Sequence, residues 1–192
     1  MTGPSIPAPP PTKRPTRPAH PFAVQVAALR KQHGTSRQVE REGVIEGVEA
    51  VGVRVPDGAP VRVDLVLSSS PDGIMAAGTV VAPWEGECRR CGGRVAGTVT
   101  AAVRERFTPV GGSDGDEESY KLAGDELDLE PLARDAVLLD LPLAPLCAEA
   151  CLGLCPGCGQ NWNLSGCDCV PEGDPRWSAL DVLRGPEGGG IA

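Results

Sequence analysis

Short runs of β-branched and aliphatic residues, separated by turn residues, dominate the middle of the chain from residue 44 to residue 110. Apolar and polar residues alternate in the first half of the run at 61–67, and runs rich in valine, alanine and threonine follow at 74–83 and 95–107. A period of two, together with two Pro-Asp-Gly turn signals between the runs, is typical of antiparallel strands. The pattern therefore predicts an antiparallel β-meander over residues 44–110.

Helical spacing of apolar residues occurs on both sides of this β-rich body. Residues 22–31 predict a short helix, and residues 128–141 predict a longer one, for which Asp128 can cap the first turn and Pro142 ends the helix. A third short helix is predicted at 175–184. A run of strands with helices before and after it predicts an α+β fold in which the helices pack against the sheet.

Both ends of the chain differ in composition from the centre. Residues 1–21 contain eight prolines and almost no apolar residues between them, and residues 185–192 are rich in glycine. Neither stretch can bury enough apolar surface to fold, because proline-rich and glycine-rich segments stay extended or flexible. We therefore expect a single domain at 22–184, between a disordered arm and a disordered tail.

Charge is distributed unevenly along the chain. Residues 1–41 carry seven Lys and Arg but one acidic residue, whereas the whole chain has a formal net charge of −8. A basic arm on an acidic body is one layout of proteins that contact nucleic acid or an anionic partner, and solvation of a disordered tail is the other interpretation. Lys13, Arg14 and Arg17 are the candidate RNA-binding residues of this arm.

The cysteines carry the strongest chemical signal. Six of the eight lie between residues 147 and 169, and Cys88-Arg-Arg-Cys91 lies between two predicted strands, where it would form the turn of a hairpin. No signal peptide or membrane span is predicted, so we expect a reducing cytoplasm, in which clustered thiols are metal ligands rather than disulfides. Cys155-Pro-Gly-Cys158-Gly has the form of a zinc knuckle, since two intervening residues allow both sulfurs to face one ion.

Two groupings of the cysteines remain open. In the first, four cysteines that are close in sequence form one site and the other four form a second: Cys155, Cys158, Cys167 and Cys169, and Cys88, Cys91, Cys147 and Cys151. In the alternative, the two Cys-x-x-Cys turns face each other over one ion as a ribbon, and the remaining cysteines are free or form a second site. The local group is favoured because closing a short loop costs less entropy.

The two histidines, His20 and His33, lie in or beside the basic arm, away from every cysteine. The sites would therefore hold thiolates alone, and four thiolates make a closed structural zinc site with no position for substrate.

A redox role for the Cys-x-x-Cys pair is weaker, since the βαβ setting that lowers a thiol pKa is missing. No nucleophile has a histidine beside it, so we expect no enzyme.

Three arginines beside the upstream cysteine pair form a small basic tip. Arg89, Arg90 and Arg94 could contact a phosphate backbone, or they could pair with the nearby Glu85 and Glu87. Both interpretations stay open from the sequence.

Four sequence blocks in one order resemble the YceD-type family, which is associated with accumulation of large-subunit ribosomal RNA. The first is the Leu-Arg-Lys segment at 29–31 leading to Gly-Thr-Ser-Arg-Gln-Val-Glu-Arg at 34–41, and the second is Cys-Arg-Arg-Cys at 88–91. The third is the helix segment from Leu-Asp-Leu-Glu-Pro-Leu at 127–132 to Cys147. The fourth is Gly-Leu-Cys-Pro-Gly-Cys-Gly at 153–159, followed by Asn161–Asn163 and by Cys-Asp-Cys at 167–169. Trp162 departs from this pattern, because a small or aliphatic residue is expected there, and the arm at 1–21 is an addition.

The resemblance implies a cytoplasmic, non-enzymatic factor that supports accumulation or processing of large-subunit (23S) ribosomal RNA and ribosome biogenesis. Its partner would be that RNA or a pre-ribosomal particle. Since the body is acidic, contact with RNA would fall to the arm and the arginine tip. The alternative is an acidic protein-interaction module that escorts a basic ribosomal protein without touching RNA.

Overall fold

The structure is a computed structural model that describes residues 20–109 and 119–169, together with Arg176 and Leu180. The predictions for the arm up to residue 19 and for the tail at 185–192 lie outside the described residues, as does the predicted helix at 175–184 apart from those two positions.

Nine strands and two helices are assigned within the described residues. In chain order they are β1 (Ala23–Gln25), α1 (Ala27–Lys31), β2 (Ser36–Val44), β3 (Glu49–Ala50), β4 (Val53–Arg54), β5 (Pro60–Ser70), β6 (Gly73–Glu87), β7 (Arg94–Pro109), β8 (Tyr120–Leu122), β9 (Glu126–Asp128) and α2 (Glu130–Asp140). The fold is mostly antiparallel sheet with two helices, which agrees with the α+β class and the β-meander expected from the sequence.

Four long strands form the sheet in the spatial order β2-β5-β6-β7, and each neighbouring pair is antiparallel. The short β3–β4 hairpin joins the far end of β6 through the pair Arg54 and Glu85. Two features differ from the prediction. The β-rich region begins at Ser36 rather than at residue 44, and β8 pairs with β7 in parallel.

One face of the sheet is covered and forms the core. Alternate residues of β5, among them Val61, Val63 and Leu65, are buried, whereas the residues between them are exposed or, at the end of the strand, half-buried. The strands β1 and β9 pair with each other, and Phe22, Leu127 and α2 contribute to the same apolar cluster. Because one face is buried along the whole length of β5, a slip of one residue would expose the core, and this holds the register of the sheet.

The helix prediction at 128–141 is nearly correct. Asp128 is the last residue of β9, and α2 begins at Glu130, two residues later than predicted. The carboxylate of Asp128 accepts a hydrogen bond of 2.9 Å from the backbone N–H of Glu130. Leu132 and Val137 lie on its buried face, and Leu141 follows its last turn before Pro142. This helix delivers the chain to the cysteine-rich segment.

The helix prediction at 22–31 is half wrong. Ala23–Gln25 form β1, which pairs with β9, and the helix covers the second half of the stretch as α1. Pairing between distant segments outweighs local helical spacing here, as tertiary contacts commonly do. Among the described residues, neither helix has the length that a membrane crossing requires.

Candidate metal centres

The tip of the β6–β7 hairpin positions the upstream cysteine pair. Strand pairing runs to Glu87 and Arg94, and the turn is closed by bonds from the Cys88 N–H to the Gly93 carbonyl at 2.8 Å and from the Gly92 N–H to the Cys88 carbonyl at 2.9 Å. Gly92 has a φ of 68°, a conformation that side chains disfavour. The predicted hairpin turn at this pair is confirmed.

Four thiols from distant parts of the chain meet at this tip and form what we call the hairpin centre: Cys88, Cys91, Cys147 and Cys151. Their sulfurs all lie within 4.8 Å of one another, and the pairs Cys88–Cys151 and Cys91–Cys147 are 3.8 Å and 3.6 Å apart. A disulfide would need about 2.05 Å. Sulfurs bound to one tetrahedral ion at about 2.3 Å would be separated by about 3.8 Å, so the observed spacing fits a metal site.

Two arginines of the turn hold the cysteine-rich segment against the hairpin. The guanidinium of Arg89 donates to the carbonyls of Leu143 and Val51 at 3.2 Å each, and the Arg89 N–H donates to the Pro145 carbonyl. Arg90 donates to the carbonyl of Cys151 at 2.8 Å and to that of Glu149. These guanidinium groups are therefore occupied by backbone carbonyls within the protein.

Glu85 pairs with Arg54 at 2.7 Å rather than with an arginine of the turn. Arg94 is the third residue of the predicted arginine tip. It is exposed at the start of β7 and, together with Arg54 and Glu87, lines a cavity of about 600 Å³ beside the hairpin centre. Lys13, Arg14 and Arg17 lie outside the described residues. RNA binding stays a prediction for all six residues proposed from the sequence: Arg89, Arg90, Arg94, Lys13, Arg14 and Arg17.

The other four thiols, Cys155, Cys158, Cys167 and Cys169, form the local centre, with all sulfurs within 4.8 Å of one another. The Gly157 N–H donates to the Cys155 sulfur at 3.4 Å, and the Gly159 N–H donates to the Cys155 carbonyl at 2.9 Å. Gly159 has a φ of 74°, which a tight turn after the second cysteine requires. This is the knuckle geometry that the sequence predicted.

The eight cysteines thus meet in the first of the two predicted groupings. The ribbon is not formed, because Cys88 and Cys91 lie in one centre while Cys155 and Cys158 lie in the other. The hairpin and α2 bring Cys147 and Cys151 to the upstream pair, although more than fifty residues separate the two segments in sequence.

Hydrogen bonds set the pKa values in the hairpin centre. Several hydrogen bonds to the sulfur of Cys88, the largest from the Cys147 N–H, lower the pKa of this thiol to about 6 against the effect of burial. The thiol of Cys147 has the opposite shift, since hydrogen bonds to the sulfurs of Cys151 and Cys91 raise its pKa to about 12. Ionisation of every thiol at such short distances therefore needs a cation between them.

The local centre shows the same division. The indole N–H of Trp162 donates to the Cys167 sulfur at 3.3 Å, and it is the largest cause that lowers the pKa of this thiol to about 6. Hydrogen bonds to Cys158 and then Cys155 raise the pKa of Cys169 to about 12. Four soft donors in this arrangement suit a divalent ion such as Zn²⁺.

Two polar contacts to the sulfurs were not predicted. Trp162 contacts Cys167, and the side-chain amide of Asn163 donates to the Cys151 sulfur at 3.3 Å. The sequence singled out Asn161–Asn163 only through a family resemblance, in which Trp162 was a departure. An N–H donor within a few residues of a thiol cluster is the signal that could have found them.

Comparisons with known proteins give the family. A family model described as large ribosomal RNA subunit accumulation protein YceD matches residues 76–184. An uncharacterized protein of Mycobacterium tuberculosis is 34% identical over 176 residues, covering 88% of this chain and 84% of the relative. An Arabidopsis thaliana protein named large ribosomal RNA subunit accumulation protein YCED homolog 1, chloroplastic, is 38% identical over 60 residues, covering 31% of this chain and 19% of the relative.

A Zea mays protein of the same name is 32% identical over 80 residues, covering 38% of this chain and 26% of the relative. No solved structure matches the chain. The family match spans the β6–β7 hairpin, α2 and both cysteine centres. The chain therefore belongs to the YceD family of large ribosomal RNA subunit accumulation proteins.

Proposed function

We propose that this protein is a non-enzymatic, cytoplasmic factor that supports accumulation of large-subunit ribosomal RNA, and that two structural zinc ions stabilise it. Membership of the YceD family is the observation that carries the RNA part of this proposal. The family is named for accumulation of ribosomal RNA rather than for a catalysed reaction, and the plant relatives carry the same name.

The chemistry of the two centres supports the structural role of the metal. Each centre offers four thiolates to one ion, which completes a tetrahedron and leaves no open position for a water or substrate. The hairpin centre would hold the tip of the main hairpin to the segment that follows α2. The local centre would fold the stretch at 155–169, which contains no helix or named strand.

The surface around Arg94 is the proposed RNA contact within the described residues. Arg94 is exposed next to the hairpin centre and lines a cavity in which Arg54 is paired with Glu85, so the Arg94 guanidinium is the group that a phosphate backbone could approach. The guanidinium groups of Arg89 and Arg90 are bonded to backbone carbonyls and are less suited to this role. Lys13, Arg14 and Arg17 would add contacts from the arm.

Depletion of the protein in cells that encode it is expected to lower the ratio of large-subunit to small-subunit ribosomal RNA. Wild-type protein should restore the ratio, whereas a variant with Cys151→Ser and Cys158→Ser should not, because both centres would be lost. Crosslinking in the same cells, with sequencing of bound RNA and identification of bound proteins, tests the partner. An unchanged RNA ratio contradicts the proposal, and protein partners without RNA crosslinks support the escort alternative.

Arg94→Glu is expected to weaken binding to a large-subunit RNA fragment about 10-fold, because one phosphate contact is replaced by repulsion. The slope of log affinity against log salt should also fall by about one. Filter binding at several salt concentrations measures both. Arg62→Glu is the matched control: Arg62 on β5 is paired with Glu42 on β2, away from the cavity that Arg94 lines, so equal weakening by both variants would show that only net charge matters.

A further inference from the structure

The side chain of Asn163 uses both ends of its amide on the loop of the hairpin centre. Its nitrogen donates to the Cys151 sulfur at 3.3 Å, and its oxygen accepts from the Leu152 N–H at 2.8 Å. The nitrogen also donates to the side-chain oxygen of Asn161 at 2.8 Å. Since donors and acceptor are both engaged, the orientation of the amide is determined, and one N–H is directed at a thiol ligand.

The backbone of Asn163 belongs to the other centre. It lies between Cys158 and Cys167, in a loop attached to the knuckle by a bond from the Cys155 N–H to the Gln160 carbonyl at 2.8 Å. A bond from the Trp162 N–H to the Gly153 carbonyl at 3.0 Å attaches the loop to the link that precedes the knuckle. The position of the Asn163 amide therefore depends on whether the local centre is folded.

The neighbouring residue completes the connection. The indole N–H of Trp162 donates to Cys167 in the local centre, while Asn163 donates to Cys151 in the hairpin centre. Consecutive side chains thus donate to a ligand sulfur of each centre, and the bond from the Asn163 N–H to the Asn161 side-chain oxygen at 2.9 Å fixes the turn between them.

We propose that Asn163 couples the two centres, so that the hairpin centre holds its ion tightly only when the local centre has folded and has placed the Asn163 amide on Cys151. This proposal rests on metal binding by both centres. Hydrogen bonds from outside the ligand set fix the position of the ligands and their charge, and their loss typically costs about 10–100-fold in metal affinity. Asn163 is a positioning residue, because it reaches the ion through a ligand.

The test measures zinc affinity of the hairpin centre by competition with a chromophoric chelator in reduced full-length protein. Four proteins form a double-mutant cycle: wild type, Cys158→Ser, Asn163→Ala and the double variant. Cys91→Ser, which retains only the local centre, identifies which step of the wild-type titration belongs to which centre.

We expect Asn163→Ala and Cys158→Ser each to weaken zinc binding by the hairpin centre about 10–100-fold. The double variant should bind zinc at this centre about as tightly as the single variant with the lower affinity. Asn163→Asp should also weaken binding, because it keeps the acceptor for the Leu152 N–H but removes the donor to Cys151. Gln160→Ala should have no effect, since the Gln160 side chain donates to Ser165 rather than to a thiol. Circular dichroism checks that each variant keeps its sheet.

The coupling is overturned if Cys158→Ser leaves the zinc affinity of the hairpin centre unchanged. It is also overturned if the loss of affinity in the double variant equals the product of the losses in Cys158→Ser and Asn163→Ala. Wild-type protein that binds two ions independently would therefore remove this inference and leave the proposed function intact. Reduced wild-type protein that binds no metal would instead contradict the zinc proposal itself.

Discussion

Replacing Cys151 with serine is expected to remove one metal ion per chain at saturating zinc and to lower the free energy of unfolding by more than about 4 kcal/mol, because loss of a structural metal is among the most damaging single changes. Cys151 is buried, and its sulfur lies 3.8 Å from that of Cys88, which is 63 residues away in sequence. The ion would therefore join two distant segments, whose association in the unfolded chain costs loop-closure entropy.

Elemental analysis and urea unfolding of reduced protein measure the two effects. Cys158→Ser is the matched control: it should also lose one ion at saturating zinc, but with a smaller loss of stability, because Cys158 is exposed and its centre closes a loop within 155–169. Equal stability losses in the two variants would contradict the structural importance of the hairpin centre. Retention of two ions by Cys151→Ser would contradict its ligand role.

The arginines at the hairpin tip contribute to the same junction. Arg89 and Arg90 donate to backbone carbonyls of the segment from Leu143 to Cys151, whose sulfurs complete the hairpin centre. Their positive charge lies close to a centre that would carry a net negative charge with four thiolates and one divalent ion. The Cys-Arg-Arg-Cys sequence thus supplies two ligands together with the cations that hold the other two in place.

The strands that could be predicted from the sequence are those with one buried face. Alternation at 61–67 marked β5, because the buried residues of this stretch are apolar and its exposed ones largely polar. Strand β2 was missed because it is polar on both faces, with Val39 its one buried residue. Its place is determined by nine residue pairs with β5, which local sequence does not report.

The grouping of the cysteines was predictable from loop length, whereas the role of the turn arginines was not. Closing a short loop favours the local centre, and the remaining four thiols then have only one another. Arg89, in contrast, bonds to the carbonyls of Val51 and Leu143, which are 38 and 54 residues away. A carbonyl partner leaves no mark in sequence, because every residue has one.

Gly78→Ala is expected to lower the free energy of unfolding by more than about 4 kcal/mol, because it combines backbone strain with a clash in a packed sheet. Gly78 lies in β6 between Leu65 of β5 and Val103 of β7, with a φ of 155° that side chains rarely adopt. An added Cβ would meet the carbonyl oxygen of Asp64 and would lie 2.9 Å from the Cα of Leu65. Backbone of a paired strand cannot move aside without loss of pairing.

Urea unfolding of Gly78→Ala is compared with urea unfolding of Gly58→Ala. Gly58 also has a positive φ, 74°, but an added Cβ there meets no atom within 4 Å, so its substitution should cost only about 1–2 kcal/mol. The difference between the two variants then reports the clash with β5 together with the extra strain of a φ of 155° over one of 74°. Equal costs would mean that β5 shifts to accept the methyl group, which would contradict rigid pairing of β5 with β6.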